Sequence, residues 1–304
     1  MSLLSIVVPC YNEEESLEIF YNTVQETLKP LKMDKEYIFV DDGSKDGTLS
    51  KLKNLHKAAQ QVHYVSFSRN FGKEAAVFAG LRESRGDAVV VLDADLQHPP
   101  SVILEMAALW EEGYEVIEGK KSDRGRESFL HKLMAATFYK IISGFMKMDM
   151  NDSSDYKFMD RKVVDVLCSL KERNTFFRAL SFWTGFKTVG VTYAVQERTV
   201  GKTKWSPTAL VKYACNNLIS FTVAPLYMIV TVGLLFFVIG LVLAIDAVVD
   251  HYTGIAVDGY PTLIILMVIA TGCILFSIGI TGVYIAKIYD EIKERPQYII
   301  REKE

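Results

Sequence analysis

The chain has 304 residues, a formal net charge of −3 and 50% hydrophobic residues. That length points to about two domains, and the near-zero charge offers no basic footprint for a nucleic acid, so none is expected as a partner. The four cysteines, Cys10, Cys168, Cys215 and Cys273, have neither metal nor C-x-x-C spacing; they read as small apolar residues in a reducing compartment.

Residues 3–9 read as a strand, too short for a signal peptide and without a cleavage pattern. Asn12, with Glu15 three positions on, resembles a capping box, and Leu17, Phe20, Tyr21, Val24 and Leu28 then keep helical spacing. Residues 37–40 give a second strand ending in Asp41-Asp42-Gly43-Ser44, followed by a helix to about residue 59. A third strand over 64–67 precedes a helix over 73–83. The run Ala88-Val89-Val90-Val91-Leu92 is short, apolar and β-branched, as a buried parallel strand should be. It leads into Asp93-Ala94-Asp95. Pro99-Pro100 opens another helix, and residues 114–117 give a fifth strand. Strands alternating with helices predict a doubly wound, mostly parallel α/β sheet, which binds ligands at the carboxyl ends of its strands. Asp41-Asp42, Arg69-Asn70 and Asp93-Ala94-Asp95 all follow strands and so should line one rim.

The next stretch, residues 125–205, is less regular. It holds a helix near 129–146, a turn at 151–154, a strand around Tyr156, a helix through Val163 to Leu170, and a strand over 188–195. A basic loop from Arg198 to Trp205 follows, and residues 206–222 have the mixed faces of an interfacial helix. After Pro225 the chain changes solvent. Leu226 to Val249 is uncharged except for Asp246, and Thr262 to Ala286 carries no charge; each is long enough to cross a hydrocarbon core. The link between them has no Lys or Arg, whereas Lys202, Lys204 and Lys212 precede the pair and Lys287, Lys293, Arg295, Arg301 and Lys303 follow it. The positive-inside rule then places the catalytic part and the tail in the cytoplasm, in a multi-pass protein of the inner or plasma membrane. The expected division is a catalytic domain over 1–205, an amphipathic helix over 206–225, a transmembrane hairpin over 226–286 and a tail over 287–304.

Chemistry enters at the strand ends. Asp93 and Asp95 are two apart on an extended segment and point the same way, so both can approach one Mg²⁺ or Mn²⁺ that also holds substrate phosphates. The alternative is that Asp95 only caps the helix near Pro99. No G-x-G-x-x-G loop follows the first strand, against a dinucleotide enzyme. Instead Pro9-Cys10-Tyr11-Asn12-Glu13 and Asp41-Asp42-Gly43-Ser44 offer carboxylates for a base or ribose and a ring to lie against the base; ordinary turns are the alternative. His98 is either a metal ligand or a surface histidine.

These motifs, together with Arg69-Asn70-Phe71-Gly72-Lys73, Asp93-Ala94-Asp95-Leu96-Gln97-His98-Pro99-Pro100, Asp155-Tyr156-Lys157-Phe158 and Arg198 to Trp205, follow one another as in family 2 glycosyltransferases. The chain most resembles the polyprenyl-phosphate glycosyltransferases, in their membrane-anchored bacterial branch. The resemblance implies a GT-A fold, a UDP-sugar donor, Mg²⁺ or Mn²⁺, and undecaprenyl phosphate as acceptor. Glucose is the first choice of sugar and GlcNAc the second. Further implied partners are the bilayer, other copies of the chain and a flippase. By resemblance, Pro9, Tyr11, Asn12, Glu13, Asp41, Asp42, Lys73, Asp93, Ala94 and Gln97 bind the nucleotide-sugar, and Asp93, Asp95 and Gln97 hold the metal. Arg124 and Arg126 meet phosphates, and Asp155, Arg198 and Lys204 face the acceptor, with Asp95 among the catalytic set. Two departures stand out. Lys157 replaces an arginine of the group, which weakens the case for a bidentate phosphate contact, and Lys202 replaces a glutamate. A lipid phosphate is mostly dianionic at neutral pH, so Asp155 is expected to orient groups more than to abstract a proton. A processive polysaccharide synthase is the rival enzyme, but Arg178-Ala179-Leu180-Ser181-Phe182-Trp183 does not match its Q-x-x-R-W block. A non-catalytic subunit that binds a nucleotide-sugar or lipid carrier is the rival of another class.

Overall fold

A computed structural model describes residues 2–121, 154–173, 175–194, 223–253 and 260–304. Residues Met1–Ser206 with Arg295–Glu304 form one compact unit, and Pro207–Glu294 a second.

In the first unit, β1 (Leu3–Cys10), β2 (Asp34–Asp41), β3 (Val62–Phe67) and β4 (Ala88–Val91) alternate with α1 (Leu17–Thr27), α2 (Thr48–Ala58) and α3 (Lys73–Glu83). There follow α4 (Val102–Glu111), β5 (Val116–Lys121), β6 (Lys157–Asp160), α5 (Arg161–Ser169), α6 (Phe177–Trp183), β7 (Thr188–Tyr193) and, near the end of the chain, β8 (Ile300–Lys303). The sheet order is β7-β5-β6-β4-β1-β2-β3-β8. β6 lies antiparallel between β4 and β5, and β8 is antiparallel to β3; the other pairs are parallel. The expected mostly parallel α/β sheet is therefore present.

Alternation along β1 divides the core. Leu4, Ile6 and Val8 pack with Phe20 of α1, Leu52 of α2 and Met106 of α4. Val7 points the other way, towards α3, where a Cβ on Gly80 would lie 2.2 Å from Val7 Cγ1. Only glycine lets that helix approach so closely. With both faces covered, the strands need apolar residues on each side, which explains the unbroken burial of Ala88–Val91.

Three local expectations shift. α1 starts at Leu17 after Ser16, not after Asn12, whose φ of 55° turns the chain four residues earlier. α4 starts at Val102, beyond the two prolines. Residues 287–304, read as a tail, divide: helix continues to Ile292, and Ile300–Lys303 completes the sheet edge. Strand β3 would otherwise present unpaired backbone groups. Tyr298 anchors the added segment, stacked on Phe67 at 4.8 Å with the Arg82 guanidinium 5.6 Å from its ring.

The second unit contains α7 (Ala224–Thr253) and α8 (Tyr260–Ile292). Pro225–Leu243 and Leu266–Ile292 are long and apolar enough to cross a membrane. Their apolar side chains, such as Phe237 and Leu275, are exposed rather than packed into a core. The helices expected near 129–146 and over 206–222 lie outside the described residues.

Candidate active site

Parallel β1, β2 and β4 bring their carboxyl ends to one rim. Over β1 and β2 that rim is knitted by hydrogen bonds. Asp41 is buried and accepts from the Ser44 amide (2.9 Å) and the Ser66 hydroxyl (2.8 Å). Asp42, also buried, accepts from the amides of Phe71 (2.6 Å) and Gly72 (2.9 Å). Asn12 donates its amide to Ser44 Oγ (2.8 Å) and accepts from the Lys45 amide (2.9 Å). Glu13 donates its amide to Thr48 Oγ1 (2.9 Å) and accepts from Ser16 Oγ (2.7 Å). Pro9 and Tyr11 are half-buried on either side of Cys10; burial pushes the Cys10 thiol well above its ordinary range, which suits an inert core residue. Burial likewise raises Asp42 to about 6, against the opposing pull of its two amide donors.

The rim over β4 is built from ions. Asp93 and Asp95 leave the strand with buried Ala94 between them. The Asp95 carboxylate accepts from the Gln97 amide (3.1 Å) and so shapes its own turn, while α4 begins after Ser101. Leu96 has a left-handed φ of 56°, a conformation that costs a branched residue about 1–2 kcal/mol and is offset by its burial. Such strain tends to be kept where a turn presents functional groups. Lys73, the first residue of α3, reaches across the rim. Its ammonium is 2.7 Å from Asp93 Oδ1, 2.8 Å from Asp93 Oδ2 and 2.9 Å from Asp155 Oδ2. Arg178 of α6 grips Asp155 with two nitrogens, Nε at 2.6 Å and Nη2 at 3.0 Å. His98 is buried, not on the surface; its Nε2 is 3.6 Å from Asp93 and its Nδ1 meets the Tyr193 hydroxyl.

The electrostatics follow from these partners. Burial pushes Asp93 up, but the Lys73 ammonium and His98 together hold it well below the usual carboxylate range. Burial works the same way on Asp155, and Arg178 and Lys73 overcome it. A carboxylate held down by two cations is a poor proton acceptor near neutral pH. Burial opposes the charge on Lys73, yet Asp155 and Asp93 hold its pKa above the ordinary value. Glu74 is raised to about 7 by burial and by the nearby Asp155, and accepts from the Phe177 amide (3.0 Å), fixing the start of α6.

Lys157 does not reach the rim. It is fully buried, 2.9 Å from Glu118 and 4.2 Å from the centre of the Phe182 ring. Glu118 also accepts from the Ser154 amide (3.2 Å), so this internal pair supports the turn that carries Asp155. Arg178, Glu74, Glu118 and Tyr193 join the site without having been singled out for it in the sequence. Arg124, Arg126, Arg198 and Lys204 lie outside the described residues.

Among the described residues, no three His, Cys, Asp or Glu side chains converge as an all-protein metal cage. One or two carboxylates with open positions instead suit Mg²⁺ or Mn²⁺, which keep waters and take further ligands from a phosphate. The hard oxygens of Asp93 and Asp95 fit a cation shared with a diphosphate.

Residues 5–165 match the model of glycosyl transferase family 2. The chain is 39% identical to the uncharacterized glycosyltransferase YkcC of Bacillus subtilis (strain 168), over 98% of this chain and 93% of that one. It is 38% identical to the bactoprenol glucosyl transferase of Shigella phage SfX over 99% of each. It is 37% identical to a prophage bactoprenol glucosyl transferase homolog of Escherichia coli (strain K12) over 98% of each. Mannosyl-3-phosphoglycerate synthase from Rubrobacter xylanophilus has the same fold, with a TM-score of 0.52 at 16% identity over 72% of this chain and 73% of that one. With its sheet, its acidic rim and relatives that align from end to end, the chain belongs to glycosyl transferase family 2 and is a glycosyltransferase with a GT-A-like catalytic domain.

Proposed function

We propose that the enzyme transfers one sugar, glucose in the first instance, from a UDP-sugar to undecaprenyl phosphate with inversion at the anomeric carbon. The observation that carries this reading is the 38% identity to a bactoprenol glucosyl transferase over 99% of both chains, a span that includes the two apolar helices as well as the catalytic unit.

The charge pattern supports it. Asp93 and Asp95, with Gln97, would hold Mg²⁺ or Mn²⁺, which supplies Lewis-acid neutralisation of the leaving diphosphate. The rim over β1 and β2, with Pro9, Tyr11, Asn12, Glu13, Asp41 and Asp42, shapes the nucleoside side; Arg124 and Arg126 are assigned to phosphates. The acceptor phosphate has a second pKa of about 6 and attacks as a dianion. No general base is then needed, consistent with the depressed Asp155. Asp155 orients Lys73 and Arg178, and Arg198 and Lys204 complete the acceptor side. Proximity does the rest, since an ordered phosphate and sugar react as one molecule would.

The apolar helices would place the catalytic unit against the bilayer that carries the acceptor. The basic flanks before and after them put it on the cytoplasmic face, with a flippase needed downstream for any glycan used outside. Self-association through these helices belongs to the same reading. The test is product chromatography with purified enzyme, Mg²⁺ or Mn²⁺, undecaprenyl phosphate and a panel of UDP-sugars. One organic-extractable glycolipid from UDP-glucose is expected. A product from UDP-GlcNAc alone would correct the donor, and a polymer would replace the reading with a processive synthase.

A further inference from the structure

Lys73 is placed against the preference of its own helix. It is the first residue of α3, where the positive end of the helix dipole disfavours a cation. What holds it is the pair of carboxylates. Its ammonium faces both oxygens of Asp93, at 2.7 and 2.8 Å, and Asp155 at 2.9 Å. Asp93 arrives from β4 and Asp155 from the segment before β6, so one ammonium joins two elements 62 positions apart in the chain.

A divalent cation taken up by Asp93 would occupy the space in front of those same two oxygens. It would then sit within a few ångströms of the ammonium, and like charges at that distance repel. Lys73 can leave: its side chain is 43% exposed and has a flexible four-carbon stem. The backbone beneath it need not move, because Asp42 anchors the amides of Phe71 and Gly72, and Gly72 adopts a φ of 105° that other residues rarely reach. Within the donor chemistry proposed above, we propose that Lys73 is a resident counter-ion that shuts divalent metal out of the empty site. It yields only when a nucleotide diphosphate brings the negative charge to hold both cations. Metal and donor then enter as a pair, and the ammonium, released from Asp93, is free to turn towards phosphate. Lys73 is thus a positioning residue whose release couples donor arrival to acceptor-side charge.

The test is Mn²⁺ binding to the full-length enzyme in detergent, read by electron paramagnetic resonance of the free ion, with and without UDP. Wild-type enzyme is expected to bind Mn²⁺ weakly alone and much more tightly with UDP. Lys73→Met should tighten Mn²⁺ binding without UDP by about tenfold or more, and shrink the enhancement by UDP through reciprocal linkage. Lys73→Arg, which keeps the charge, should behave like wild type. A Lys73→Met protein that melts cooperatively and keeps wild-type Mn²⁺ affinity overturns the proposal and leaves the metal-dependent reading intact. Should Lys73→Met not fold, equal Mn²⁺ affinities of wild type with and without UDP overturn it. Absence of Mn²⁺ binding even with UDP removes the metal reading and the counter-ion role together.

Discussion

At the ends of β1 and β2, the donors to Asp41 and Asp42 among the described residues are neutral, the hydroxyl of Ser66 and the amides of Ser44, Phe71 and Gly72. At the end of β4, Asp93 and its neighbour Asp155 are held by the cations Lys73 and Arg178. Burial outweighs the pull of the two amides and leaves Asp42 at about 6, whereas Arg178 and Lys73 overcome burial and hold Asp155 well below its ordinary value. Backbone amides are fixed, so the first rim is a frame that shapes loops. Ammonium and guanidinium groups can exchange one anion for another, so the second rim can admit a phosphate or a metal without leaving a buried charge uncompensated.

That contrast breaks most visibly at Asp93 and Asp95. Asp93→Ala or Asp95→Ala should lower transfer by at least about a hundredfold to a thousandfold, as loss of a preorganised charge partner does, while membrane insertion stays normal. Radiolabelled-sugar transfer beside membrane fractionation checks this, and full activity in either variant would sink the assignment. Arg178 comes next. Arg178→Ala strips Asp155 of a two-point partner. Removing one member of a buried pair costs about 3–5 kcal/mol, and the low end applies here, because Lys73 remains and the Arg178 side chain is 27% exposed. Arg178→Lys should recover part of that, since an ammonium keeps the charge but loses the fork. Chemical denaturation midpoints of the three proteins give the ordering.

The two rims also differ in how far the sequence announces them. β-Branched runs such as Ala88–Val91, each followed by polar or acidic residues, announce parallel strands and place Asp41, Asp42, Asp93 and Asp95 at their ends. The partners of those carboxylates stay hidden. Lys73 and Asp155 are 82 positions apart, and Arg178 lies 23 beyond Asp155; no spacing rule joins residues that meet only once the sheet is assembled. Lys157 misled in another way. It stands in place of an arginine of the group, compared as a phosphate contact, yet β6 is enclosed by β4 and β5, and Glu118 on the adjacent strand gives the ammonium an internal partner. Asn12 has the composition of a cap, but its left-handed φ assigns it to the turn before α1. The last strand, β8, reads Ile300-Arg301-Glu302-Lys303, and three charges in succession carry no apolar strand signal.

The smallest expected effect lies in the frame itself and varies with acidity. Asp42→Asn keeps the shape of the side chain but places an amide N–H₂ where an oxygen receives a backbone N–H. Two donors then face each other, at a cost of about 1–3 kcal/mol. The wild-type carboxyl is raised from 3.8 to about 6 in the folded protein. Between those values the folded chain keeps a proton that the unfolded chain has released, so this residue's stabilising contribution is complete below about pH 4 and is lost as pH rises through 6. Asn does not titrate, so the variant lacks that dependence. The deficit of Asp42→Asn relative to wild type should therefore be largest near pH 4 and narrow above pH 6, as read from denaturation midpoints across that range. A deficit that widens as pH rises would mean that the ionised carboxylate is favoured there. Asp42 would then belong with Asp93 and Asp155, and the division between a neutral frame and an ionic rim would fail.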